Sequence, residues 1–172
     1  MVYYDQDGLL IRDMLQSDAQ IFTDEEKGYS DISEYEKTLR HQEEKKCVAL
    51  VAEYHGQPAG YVSVYPDCKW GGFGGRGYPQ IVDLGVLEKY RKKGIGNKLM
   101  DIAEQVAAEY SDIVYLGVGL HSGYGSAQRL YAKRGYIPDG AGLWHNDIVL
   151  TPGDSIYADV EDLTLYLSKK LR

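Results

Sequence analysis

The chain has 172 residues, 44% hydrophobic and 26% charged, with 19 Lys and Arg against 26 Asp and Glu for a formal net charge of -7. That length supports one well-buried core and is short for two, so a single domain over residues 1–172 is expected. The acidic balance argues against a nucleic acid or an anionic membrane as partner, since both reward a basic face, and no stretch has the length of a bilayer span.

In chain order, "MVYYDQDG" lacks the basic start and apolar core of a signal peptide, which predicts a cytoplasmic protein. "GLLIRDML" reads as a first strand, and "SDAQIFTDEEKGYSDISEYEKTLRHQEEK" as one or two helices. Ser17 suits an N-cap, Gly28 with Ser30 and Asp31 is a stop-and-restart signal, and Ile32, Tyr35 and Leu39 keep helical spacing. The acidic residues among them suit either a solvated face or a substrate-attracting rim. "CVALVAEYHG" and "PAGYVSVYP" form a hairpin across a Gly-Gln-Pro turn. "KWGGFGGRGYPQ", with five glycines and three aromatics in twelve residues, is a loop. "IVDLGVL" is a nearly continuous apolar strand, and Leu99, Ile102 and Val106 carry a helix from Ile95 to about Tyr110.

"DIVYLGVGL" reads as another buried strand, "GSAQRLYAKRG" as a helix ended by Gly135, and "DLTLYLSKK" as a closing strand that could pair within or between chains, which leaves a homodimer open. Residues 138–160 carry no assignable pattern. The order β-α-α-β-β-β-α-β-α-β predicts an α/β fold with a mixed central sheet and helices on both faces. Cys47 and Cys68 have no metal-type spacing and fit a reducing compartment as buried or bystander thiols, and no metal is called for.

Between the apolar strand and its helix lies "YRKKGIGNK", which crowds Arg91, Lys92, Lys93 and Lys98 around two glycines. The first amides of a helix have no internal acceptor and sit at the positive end of its dipole, so this corner is suited to a pyrophosphate. Gly94 and Gly96 remove side chains that would hold an anion away. A Walker loop is excluded because no Ser or Thr follows Lys98. A dinucleotide fingerprint is excluded by Leu99 at its third small position and by the lack of an acidic residue ending "DIVYLGVGL".

Arg91, Gly94 and Gly96 satisfy Arg/Gln-x-x-Gly-x-Gly/Ala, and Ala127, Leu130, Tyr131, Gly135 and Tyr136 satisfy Ala-x-x-Leu-Tyr-x-x-x-Gly-Phe/Tyr. Together with "VDLGV" they resemble the GCN5-related N-acetyltransferase (GNAT) family, closely over about residues 80 to 137. The resemblance implies acetyl-CoA as acyl donor. Its pantetheine arm would run along the main chain of Leu84 and Val86, and its pyrophosphate would sit on the amides of Lys92, Lys93, Gly94, Ile95, Gly96 and Asn97. Gly85 would mark the strand bulge of the family, or be merely structural.

The same resemblance implies acetyl transfer to a primary amine of a small molecule or peptide. Tyr131 matches the family's tyrosine acid, with a core tyrosine as the plain alternative. For the base, Gln80 stands where histone-type members carry a glutamate and cannot serve. Asp83, an aspartate in an apolar strand, is the candidate, directly or through water, with a structural role equally open. His121 is second. The family's frequent asparagine is replaced by Tyr124, and Ser126 is a substitute contact to the arm. A non-catalytic acyl-CoA-binding or sensor domain is the rival reading.

Overall fold

Two tight turns start the sheet. Asp7 and Gly8 take φ of 53° and 76°, and His55 and Gly56 take 50° and 78°; left-handed pairs of this kind match the twist of the strands they join. They connect β1 (Val2–Gln6) to β2 (Leu9–Asp13) and β3 (Val48–Tyr54) to β4 (Gln57–Tyr65). Two expectations change. The β1 strand was absent from the predicted order, and Gln57 and Pro58 belong to β4 instead of the turn.

The computed structural model describes residues 1–26 and 31–172. After β2 come α1 (Gln16–Glu25) and α2 (Ile32–Glu43), and after β4 come β5 (Gln80–Val86), α3 (Ile95–Ala108), β6 (Ile113–Gly119) and α4 (Gly125–Lys133). The chain ends with the two-residue strands β7 (Ile137–Pro138), β8 (Trp144–His145) and β9 (Ile148–Val149), then β10 (Leu163–Lys170). The sheet runs β1-β2-β3-β4-β5-β6-β10-β8-β9, with β7 also on β10. All its pairings are antiparallel except β5 with β6. The strand β10 lies along β6 from Thr164–Gly119 to Lys170–Ile113, so the closing strand pairs within the chain.

Helices cover both faces, as predicted. Phe22 of α1 and Tyr35 and Leu39 of α2 pack on one side, and Ile95, Leu99, Ile102 and Val106 of α3 with Tyr131 of α4 on the other. Each such aliphatic or aromatic side chain contributes about 1.5–3 kcal/mol when fully buried. Ser17 does not cap α1; the Asp18 carboxylate accepts the Leu15 amide instead, at 2.7 Å. Arg12 grips the same buried carboxylate with both terminal nitrogens, at 2.7 and 2.9 Å, fixing the start of α1 to β2. Asp31 caps α2 through the Ser33 amide at 3.1 Å, while Gly28 and Ser30 of the restart signal lie outside the described residues. Among the described residues no helix is long and apolar enough to cross a membrane.

Candidate active site

The parallel strands β5 and β6 pair only at Gln80–Tyr115 and Ile81–Leu116, then separate. On its other edge β5 slips against β4: Val82 faces Ser63 and Gly85 faces Tyr61, so three steps of one strand match two of the other. The extra residue makes a bulge at Asp83 and Leu84. Asp83 takes φ 56°, a conformation that Asp tolerates better than most residues. The irregularity was expected at Gly85; it is centred just before it. Gly85 is needed for a different reason, since a Cβ there would stand 2.6 Å from the Tyr61 ring.

Leu87 donates to the Ala59 carbonyl at 2.9 Å. The neighbouring pair Gly60–Val86 is therefore one that exchanges no hydrogen bonds. The Val86 amide faces away from β4, toward the opened gap.

A cleft of about 420 Å³ fills that gap. Asp83 and Leu84 border it from β5, Gly117 and Gly119 from β6, and Tyr124 and Tyr131 from the far side. Tyr131 is 6% exposed, and its hydroxyl makes no hydrogen bond among the described residues. Burial, with Tyr124 and Asp83 pushing the same way, raises this phenol to about 12. Asp83 reaches solvent through the mouth of the cleft yet is crowded by protein on its other sides. That crowding lifts its carboxyl above the ordinary range; Glu34 adds to the lift and Lys37 opposes it.

The basic corner stands beyond the end of β5, outside the cleft lining. Arg91 Nε donates to the Val86 carbonyl at 3.0 Å, fastening the corner to the strand. Gly94, at φ 82°, precedes α3 without any side-chain cap, and Lys98 is the first amide to bond back, to the Gly94 carbonyl at 3.1 Å. The amides of Lys92, Lys93, Gly94, Ile95, Gly96 and Asn97 thus find no acceptor among the described residues. A Cβ at Gly94 would meet nothing within 4 Å, and one at Gly96 only Val86 Cγ2 at 3.6 Å, so the space over these amides is open. Lys98 turns away to Asp101, at 3.6 Å, and over the Tyr4 ring. The corner keeps Arg91, Lys92 and Lys93, all exposed.

Asp83, Leu84 and Tyr131 therefore share one cleft, joined through Val86 to the corner that carries Arg91 to Asn97. Ser126 is exposed on the first turn of α4 and does not border the cleft; Tyr124 does, and a Cβ at Gly119 would overlap its ring at 2.4 Å. His121 is not a free base: Nδ1 accepts the Gly123 amide at 3.1 Å, and Nε2 lies 2.9 Å from Glu161. Gln80 is buried and accepts the Cys68 thiol at 2.8 Å. Trp144 stands edge-on to Tyr166 and donates to Asp139 at 2.9 Å, away from the cleft, whereas Trp70 borders it. Glu34 of α2 also borders the cleft, and the sequence offered it only as one acid on an acidic helix.

One ionic cluster ties the two helices of the site together. Arg134, just past α4, donates to Glu104 at 2.9 Å and Asp101 at 2.8 Å, both on α3, and Lys169 of β10 reaches Glu104 at 2.6 Å. Burial pushes the Glu104 carboxyl up, but hydrogen bonds from Arg134 and Lys169 outweigh it and hold the group below its usual value.

Residues 11–136 match the Acetyltransferase (GNAT) family. An N-alpha-acetyltransferase of Sulfurisphaera tokodaii is 30% identical over 106 residues, which are 57% of this chain; the match spans 61% of that relative's length. Among solved structures, the yncA protein of Salmonella typhimurium with its cofactor acetyl-CoA superposes with a TM-score of 0.67 at 17% identity, covering 96% of this chain and 95% of that one. Ard1 of Thermoplasma volcanium gives 0.70 at 17% identity over 96% and 99%. The ribosomal-protein-alanine N-acetyltransferase of Brucella melitensis gives 0.66 at 20% over 94% and 99%. At such identities the structures speak for the fold, and the match over residues 11–136 speaks for the family: this chain belongs to the acetyltransferases of the GNAT family.

Proposed function

We propose that the protein, acting as a single domain, transfers the acetyl group of acetyl-CoA to a primary amine of a small molecule or peptide by direct attack on the thioester. The observation that carries this reading is the convergence of Asp83 and Tyr131 on one cleft whose strand leads directly into six unpaired amides. The donor fits that geometry. Its diphosphate lies on the amides of Lys92 to Asn97 with Arg91, Lys92 and Lys93 at the rim, and its arm runs along Leu84 and Val86 in place of the missing β5–β6 hydrogen bonds.

An alkylamine enters almost wholly protonated at neutral pH. Asp83, directly or through one water, takes that proton, and its raised carboxyl makes it a better acceptor than an ordinary aspartate. The nitrogen lone pair then forms the N–C bond. Charge moves onto the carbonyl oxygen, which accepts the Val86 amide. As the C–S bond breaks, the Tyr131 phenol donates a hydrogen bond to the sulfur. A phenol held near 12 stays protonated at neutral pH and can pass its proton to the departing thiolate; of the two protons the nitrogen loses, the first leaves through Asp83 to solvent and the second, shed as the amide forms, restores the phenol.

Thiol release from acetyl-CoA across a panel of amines, compared between wild type and Tyr131→Phe, tests the reading. Turnover in the wild type and its collapse in the variant support it. No turnover of any amine, with coenzyme A still bound, favours the sensor alternative.

A further inference from the structure

The donor site and the base account for the β5, β6 and α4 walls of the cleft and leave the α2 wall unexplained. There Glu34 borders the cleft with an exposed carboxylate that makes neither an ion pair nor a hydrogen bond among the described residues. The Asp83 carboxylate, across the cleft, has no hydrogen-bond or ion-pair partner among the described residues either. Glu161 is the third carboxylate on the lining, and His121 already engages it. Among the described residues no Lys or Arg borders the cleft; Lys37, one turn beyond Glu34, is felt by Asp83 but lies outside the lining.

An unbalanced set of carboxylates does not by itself define a ligand. The second mark is Tyr131, a phenol 6% exposed whose hydroxyl has no partner among the described residues and which borders the same cleft. The three groups Tyr131, Asp83 and Glu34 thus face one volume without a side-chain partner among the described residues.

One carboxylate is enough to deprotonate an amine. Once the nucleophilic nitrogen has given its proton to Asp83, the Glu34 carboxylate is still charged at the rim of the cleft and opposes the negative charge that builds on the thioester oxygen. A positive charge that stays on the acceptor through the reaction removes that conflict, and the rings of Tyr35 and Trp70, also on the lining, suit an alkyl chain or an ammonium.

Building on the acetyl-transfer reading above, we propose that the acceptor is a small diamine: one nitrogen is presented to Asp83, and the other remains an ammonium held by Glu34, which is the specificity-determining residue. The reaction converts a dication into a monocation, so the product is held less tightly than the substrate and leaves.

The test measures kcat/KM for butane-1,4-diamine and for butylamine, which has the same carbon chain and one charge fewer, alongside a neutral tripeptide with a free amino terminus. The wild type is expected to favour the diamine about tenfold or more, a charge-assisted contact being the difference. Glu34→Gln brings the ratio to about one, chiefly through KM. Glu36→Gln, on the same helix and outside the cleft lining, leaves the ratio unchanged. Calorimetry with butane-1,4-diamine and coenzyme A present gives a readout apart from turnover, with binding in the wild type weakened about tenfold in Glu34→Gln. Equal rates for the two amines, acetylation of the tripeptide alone, or a ratio that Glu34→Gln does not move would overturn the diamine assignment while leaving acetyl transfer standing. Acetylation of no amine together with no diamine binding would overturn both.

Discussion

The ring of Tyr61 occupies the space that a side chain at Gly85 would need, with only 2.6 Å between its Cζ and the position of a Cβ. The ring cannot swing clear, because its hydroxyl donates to Glu26 at 2.9 Å and its edge meets Phe22 at 4.8 Å between centroids. Gly85→Ala is therefore expected to destabilise the protein by about 1–3 kcal/mol through overpacking and to weaken coenzyme A binding, since the β5 backbone must move. Adding Tyr61→Leu should recover part of both losses in thermal unfolding and calorimetry. A double variant no better than the single one would place the need for glycine in the backbone alone.

Tyr131→Phe removes a hydroxyl that bonds to no described residue. Stability should change by less than about 1 kcal/mol, because no protein hydrogen bond is lost, and coenzyme A affinity should hold. Turnover should fall about 10²- to 10⁴-fold, the range for a positioned proton donor. Loss of stability in step with activity would mark Tyr131 as a packing residue.

Asp83 carries opposite consequences for activity and stability. Burial raises its carboxyl, so the folded protein holds a proton there more tightly than the unfolded chain does. The resulting stabilisation is present below the ordinary carboxylate pKa of about 3.9 and is lost as pH rises through the higher folded value. Asp83→Asn should therefore melt at a higher temperature than the wild type near neutrality, and the advantage should vanish in acid. Its turnover should drop about 10²-fold or more, and the acid limb expected of the wild type as Asp83 protonates should be absent. A variant that melts lower at neutral pH would contradict the argument.

The two corner glycines should separate on substitution. Gly96 sits in the first turn of α3 with ordinary room for a methyl group. Gly96→Ala should therefore stabilise the protein by up to about 1 kcal/mol through helix propensity, yet weaken coenzyme A about tenfold by intruding on the anion. Gly94 is left-handed, and Gly94→Ala should cost about 1–2 kcal/mol in stability as well. Calorimetry and thermal melts on both variants read the difference.

Much of the candidate site could be read from residue order because its parts are local. Arg91, Gly94 and Gly96 lie within about one turn of each other, and the spacing from Ala127 to Tyr136 follows a helix and its end. What escaped depends on contacts between distant segments. The bulge falls at Asp83 because β4 and β5 slip against each other, and no single-strand pattern shows a register shift. Glycine was the visible signal, and its neighbour two positions earlier took the left-handed turn. Ser17 matched a cap by type, but Asp18 won through its ties to Arg12 and Leu15. The strands of residues 137–149 are two residues each, too short to show alternation. His121 was read without Glu161, which is forty positions away.

The cluster around Arg134 makes α3 a strut with a task at each end. Its first turn offers the amides over which an anion can settle, and its middle clamps the far end of α4, the helix that aims the Tyr131 phenol. On the proposed reading, seizing the carrier and pointing the acid would be mechanically one act, because a tilt of that strut displaces both.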